Sequence, residues 1–299
     1  MSSSHSSRSN RNPARPETPP EFKDVRAAVL STPHLTARQK IRYVTAWLRI
    51  APHASSNASV FRKYLDHTSI ESRLISLRHH LESADPELFS LASPDSSAIT
   101  QIERWANASL CRNIFGDVVG PRICRLSLEW DGNTKNTWPR LLHRAVDPRS
   151  AYNEHTIEGN PLDRRIAHAL ARALPAHIRH ELAQLPMRGR HMLLWRGLGN
   201  NPGSHDTFFA DSARRHPHDY SAPPLSSYTT SVVAGMGWSR NGHGILLVEL
   251  VPFNALFSAE YILGELGEIV VRDHEHRLLL PLRRRDQTWH IDYPPPDSA

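Results

Sequence analysis

Residues 264–271 read Gly264-Glu265-Leu266-Gly267-Glu268-Ile269-Val270-Val271, a glycine-marked loop that runs straight into an apolar stretch. The three β-branched residues after Glu268 predict a strand that this carboxylate opens. Two further strand-like motifs precede it. Leu193-Leu194-Trp195-Arg196-Gly197 is an apolar run ending in Arg-Gly, and Tyr228-Thr229-Thr230-Ser231-Val232 places three hydroxyls in a row. On a strand, alternation would project Thr229 and Ser231 to the same side. Each motif alone describes ordinary strand chemistry; their order and spacing give them weight together.

Outward from these motifs, residues 190 onward read as strands. His191–Trp195, Ser227–Val233, Gly244–Val251, Glu268–Arg272, Arg277–Arg283 and Thr288–Tyr293 are short runs rich in Leu, Ile, Val, Thr and Tyr, bounded by Gly, Pro, Asn and Asp. The earlier half reads as helices. Thr36 is a candidate N-cap for a helix containing Ile41, Val44, Trp47 and Leu48, which Pro52 and Ala54-Ser55-Ser56-Asn57 are expected to end. Amphipathic patterns follow over 58–82, Ala98–Phe115 and 162–174. Residues 118–162 are rich in turn formers. Helices first and strands later indicate an α+β fold. Residues 1–21 are mostly Ser, Arg, Asn and Pro and are expected to be disordered. The division expected is a disordered start at 1–21, a helical extension at 22–95 and a main domain at 96–295.

Bulk properties narrow the class. The 299-residue chain carries a formal net charge of +6, and only four of its 36 basic residues are lysines. Mean hydropathy is -0.48. No apolar run has the length of a membrane span, and nothing near the start resembles the apolar core of a secretory signal, so a soluble protein without a membrane span is expected. Cys111 and Cys124 are too few for a disulfide framework and sit in apolar surroundings, which predicts reduced, buried thiols. Asp273-His274-Glu275-His276 lacks a third ligand at metal-site spacing and reads as a solvated turn, so no metal is expected. Arg283-Arg284-Arg285 reads as an edge-strand charge cluster. The basic charge alone motivates nucleic-acid binding only weakly.

The three ordered motifs resemble the mono-ADP-ribosyltransferases of the Arg-Ser-Glu class. These enzymes have an apolar strand ending in Arg-Gly, an aromatic-x-Ser-Thr-Ser strand and a Glu heading an apolar strand. Ile102–Asn107 resembles the family's early helix, Ile166–Leu174 the helix before the Arg strand, and Gly244–Pro252 its central strand. The resemblance covers about 98–293. It implies two packed, mostly antiparallel sheets flanked by helices, and NAD as the substrate. It assigns Glu268 to the ribose and its developing positive charge, with Arg196 on the adjoining phosphate or ribose. Gly197, Thr229, Thr230, Ser231 and Tyr261 would complete the NAD cleft. Glu265 and Leu266 fall on the acceptor side. Two positions differ from the family pattern. Thr229 stands for the first Ser, and Leu266 stands where active transferases place Gln or Glu to orient the acceptor. The Ser- and Arg-rich start also resembles bacterial type III effectors, which implies injection into a host cell's cytoplasm and a host protein as acceptor or partner. Two outcomes follow: an NAD-cleaving transferase or hydrolase, or a catalytically impaired member of the same fold that binds a host protein or peptide.

Overall fold

The computed structural model describes residues 21–33, 35–90, 108–130, 137–149, 160–198, 224–239, 245–260, 262, 267–274, 278–285 and 288–291. Its helices come first: α1 (Phe22–Ser31), α2 (Ala37–Arg49), α3 (Ala51–His67), α4 (Ile70–Ala84), α5 (Ala108–Glu129), α6 (Thr137–Val146) and α7 (Pro161–Ala183). Strands β1 (His191–Leu198) and β2 (Leu225–Thr229) follow, then the short helix α8 (Val232–Trp238). After it come β3 (Ile245–Pro252), β4 (Leu256–Ala259), β5 (Glu268–Arg272), β6 (Leu279–Arg285) and β7 (Thr288–Ile291). The chain is therefore α+β.

All seven strands pair antiparallel in one sheet, in the order β4-β5-β2-β1-β3-β6-β7. This replaces the two sheets expected. The continuity is slender, because β1 and β2 register through a single residue pair, Trp195 with Thr229. By contrast, β1 pairs with β3 along its whole length. The sheet thus consists of a three-strand and a four-strand group hinged at one point. Side chains from both groups share a core there: Met192, Leu194 and Val251 cluster with Tyr228, Ile269 and Val271.

Three large cores explain why β1 and β3 read as almost unbroken apolar runs. Alternation sends Leu193 and Trp195 to one face, where α1, α2 and the start of α3 cover them together with Leu246, Val248 and Leu250. Met192 and Leu194 go to the other face, against Phe61 and Leu65 of α3 and Ile178 and Leu182 of α7. Helices α4 to α7 pack on Leu225, Phe257 and Val270 in a third core, which also holds the buried free thiols Cys111 and Cys124. Helices of the 22–95 segment thus share cores with the strands; the expected boundary near 95 lies outside the described residues.

Several local expectations change. Helix α2 does end just before Pro52, at Arg49, but no break follows: Pro52 occupies the first turn of α3, where a missing N–H costs nothing. Asn57, read as part of a break, is buried inside α3. Its Nδ2 donates to the carbonyls of Arg188 and His191 at 2.7 and 2.8 Å, and its Oδ1 accepts from the Arg188 amide at 2.9 Å, tying α3 to the start of β1. The 58–82 stretch splits at Thr68-Ser69, where Ser69 N-caps α4 by accepting from the Ser72 amide. Residues 118–162 contain the second half of α5, kinked at Gly116, and all of α6. The 162–174 helix continues through Pro175 to Ala183. The 98–107 part of the expected third helix, including Ile102–Asn107, lies outside the described residues. Arg283–Arg285 belong to β6, which β7 covers, so they are not on the edge strand.

Candidate active site

Sheet pairing aligns the motifs. Trp195 of β1 lies opposite Thr229 of β2, and Thr229 lies opposite Glu268 of β5. At the usual strand spacing, this row spans about 10 Å from β1 to β5. Residues directly opposite one another project from the same face, so Thr229 and Glu268 are side-by-side neighbours. Both are buried, at 0% and 6% exposure. A carboxylate there is held among protein groups rather than in bulk water. Glu268 begins β5, as its sequence context predicted.

The hydroxyl run does not continue as a strand. β2 ends at Thr229, whose Oγ1 accepts from the Ser231 amide at 3.1 Å, and Ser231 N-caps α8 by accepting from the Ala234 amide at 3.3 Å. The expected strand Ser227–Val233 therefore stops at Thr229 and its last two residues begin α8, and Thr229 and Ser231 do not share a strand face. Local side-chain bonds of Thr and Ser compete with the ladder and win where no further strand pairs. Thr230 lies half-buried in the turn between them.

Helix α8 folds back across β1 at Gly197. A Cβ at that position would lie 2.6 Å from the Trp238 carbonyl carbon and still closer to the Gly235 oxygen and the Ser239 nitrogen. Gly197 thus serves helix-on-strand contact. Gly235 repeats the fit from the helix side, against Trp195 and Leu246.

Arg196 follows Trp195 and so leaves β1 on the face opposite to Thr229 and Glu268. Its guanidinium carbon stands 5.7 Å from the centre of the Tyr228 ring. Nη1 is buried and has no hydrogen-bond partner among the described residues. A buried guanidinium donor without an acceptor among these residues is costly. Its charge also reaches His143 of α6, whose pKa is pushed down to about 4, by burial first and by Arg196 second. Trp130 stacks on the His143 ring with centroids 5.7 Å apart, and its Nε1 donates to Ser227 Oγ at 3.3 Å. Beneath, Tyr228 donates its hydroxyl to the fully buried Glu249 at 2.7 Å, and His274 Nε2 lies 3.4 Å from the other Glu249 oxygen. His274 therefore packs against a buried carboxylate instead of standing in a solvated turn.

The loop ahead of Glu268 is closed by groups that the sequence motifs did not single out. Glu260, 1% exposed, accepts from the Gly267 amide, so the residue just after β4 grips the residue just before β5. Gly267 has φ +83°, a left-handed conformation that favours glycine. Arg62 of α3 donates to the same Glu260 carboxylate at 2.8 Å and also pairs with Asp66, whose pKa it holds below the usual range. Arg73 of α4 donates to the Glu260 carbonyl at 2.8 Å and grips Glu181 of α7 through Nε at 2.6 Å and Nη2 at 3.3 Å. Tyr64 adds a bond to Glu181 at 3.2 Å; burial and that carboxylate push its pKa up to about 12. The partners lie far apart in sequence and carry no local motif, so no spacing rule could have found them.

Tyr261, Glu265 and Leu266 lie outside the described residues. Among the described residues, no group of three His, Cys, Asp or Glu is arranged to hold a metal ion. No helix among them is long and apolar enough to cross a membrane. Comparison with protein-family models finds no match, and neither curated proteins nor solved structures match the chain.

Proposed function

We propose that this chain binds NAD along the β1–β2–β5 row, and cleaves its nicotinamide–ribose bond, handing ADP-ribose to a host protein or to water. The observation that carries the reading is the buried Thr229–Glu268 pair, in a row with Trp195, next to which along β1 stands Arg196 with a buried Nη1 that lacks an acceptor among the described residues. The residue types suit the chemistry. Nicotinamide is already cationic and departs with the bond's electron pair, so no acid is needed. The ribose left behind develops positive charge, which a fixed carboxylate such as Glu268 stabilises. The acceptor nitrogen or water oxygen bonds to the ribose carbon and loses its proton. Arg196 can donate to a phosphate oxygen. The strand order supports the same reading, since the Arg, hydroxyl and Glu motifs fall on β1, β2 and β5, the strands that meet at the hinge of the sheet. In this reading residues 1–21 form the export segment for injection into a host cell, which a translocation reporter fused to them tests directly.

A second reading keeps the fold and drops the catalysis: a module that binds a host protein or peptide. Strand alternation favours it, because Arg196 leaves its strand on the face away from Glu268. Calorimetric titration with NAD separates the two. The enzyme reading expects NAD binding, weakened by Arg196→Gln, and NAD turnover reduced about a hundredfold or more by Glu268→Gln. NAD turnover unaffected by Glu268→Gln removes Glu268 from the mechanism, and the absence of any NAD binding leaves the module.

A further inference from the structure

Between Val25 and Leu65 the chain holds seven Lys and Arg and no Asp or Glu. This segment builds most of α1, all of α2 and most of α3. Helix α2 turns Tyr43 and Trp47 inward onto the sheet. Its outer side carries Ile41 and Leu48, 66% and 51% exposed. They are two turns apart, about 10 Å along one stripe. Arg38, Arg42 and Arg49 line the neighbouring stripe, all exposed and without an ion pair among the described residues. Lys40 donates to the Leu30 carbonyl at 2.8 Å, which draws the end of α1, with its exposed Leu30, to the first turns of α2.

We infer that this face of α1 and α2 docks on an anionic lipid surface. The two stripes supply what such a surface takes: guanidinium groups for phosphate and carboxylate headgroups, and aliphatic side chains that enter the boundary beneath them. Nucleic acid would use the arginines but has no place for Ile41 and Leu48. A helix seated in a protein groove presents a continuous series of anchors at i, i+3, i+4 and i+7. Here the positions between are Val44, which packs against the core beneath, and the polar Thr45.

The test is partition of the full chain onto vesicles of phosphatidylcholine with about a third phosphatidylserine, against pure phosphatidylcholine, across a salt series. Binding is expected only to the anionic vesicles and falls as salt rises. Combined R38Q, R42Q and R49Q lowers the partition coefficient about a hundredfold, roughly fivefold for each arginine. Combined I41S and L48S lowers it severalfold with the circular dichroism spectrum unchanged, since both side chains are exposed. A control set away from α1 and α2 in sequence, R144Q, R149Q and R164Q, all exposed residues in or after α6 and at the start of α7, leaves it unchanged. The proposal is overturned if the chain fails to bind anionic vesicles at low salt, or if the control set weakens binding as much as the α2 set. It is equally overturned if I41S and L48S have no effect, because the face then responds to any polyanion.

Discussion

Replacing Glu260 by glutamine removes one charge from the base of the loop that delivers Glu268 and changes little else in shape. The native carboxylate accepts from the Gly267 amide and from Arg62 Nη1. A hydrogen bond to a charged, buried acceptor contributes about 1.5–3 kcal/mol, and glutamine retains a carbonyl acceptor for Gly267, so roughly half of that is lost. The Arg62 ion pair adds little more. Arg62 is 29% exposed and keeps Asp66 as a second partner, which limits this contribution to about 1 kcal/mol or less. Glu260→Gln should therefore cost about 2 kcal/mol, or roughly 3 °C in Tm for a chain of this size. Urea unfolding measures the stability. Hydrogen exchange at the Gly267 amide reports the loop directly and should accelerate more than the β1 amides do. Combining it with Arg62→Gln should give a cycle coupling of about 0.5–1 kcal/mol. In the enzyme reading, NAD turnover falls as well, since about 1 Å of misplacement at a reacting group costs up to a hundredfold. Unchanged Tm together with unchanged exchange at Gly267 would refute the clamp, whatever happens to activity.

Three further outcomes are expected. Burial pushes His143 and His177 down to about 4 from an ordinary value of 6.5, so the unfolded chain takes up protons that the folded chain refuses. Their contribution is fully present above pH 6.5 and is lost as pH falls from there to about 4; urea midpoints across that window should decline with a slope approaching two protons. Arg73→Met strands the buried Glu181 carboxylate and should cost about 3–5 kcal/mol, whereas Arg73→Met with Glu181→Leu should recover most of it, measured by the same unfolding curves. A Gly197→Ala variant must push α8 off β1 and should cost about 3 kcal/mol, with near-ultraviolet dichroism reporting the disturbed Trp195 and Trp238. A Gly197→Ala variant as stable as the parent would mean that the helix is not seated there.

The chain's own residues determined most of the strands. β5 begins at Glu268 because Gly267 takes a left-handed turn and three β-branched residues follow, all local facts. β1 and the central β3 were equally legible, since a strand buried on both faces must be apolar throughout. That Glu268 stands beside the Thr229 hydroxyl is a matter of strand pairing. The four-residue strand Leu256–Ala259 was missed; so short a run has no period to read. Ser231 looked like strand and is a cap, because whether a hydroxyl serves a ladder or a helix end depends on whether another strand is there to pair. Pro52 read as a stop, and α2 does end just before it, but it also opens the next helix, which packs on its own buried face.

What the sequence could not contain is the relation between distant groups. Arg62, Arg73, Glu181 and Glu260 become one network only when α3, α4, α7 and the end of β4 meet. The single Trp195–Thr229 pair joins two strand groups into one sheet and decides which face Arg196 leaves from. Local chemistry selects helix, strand or turn within a few residues. Register and buried charge pairing are settled by long-range packing, since a one-residue slip would turn every side chain of β2 to the other face. The sequence therefore named the acid and the arginine, and the tertiary structure decided how they stand to one another.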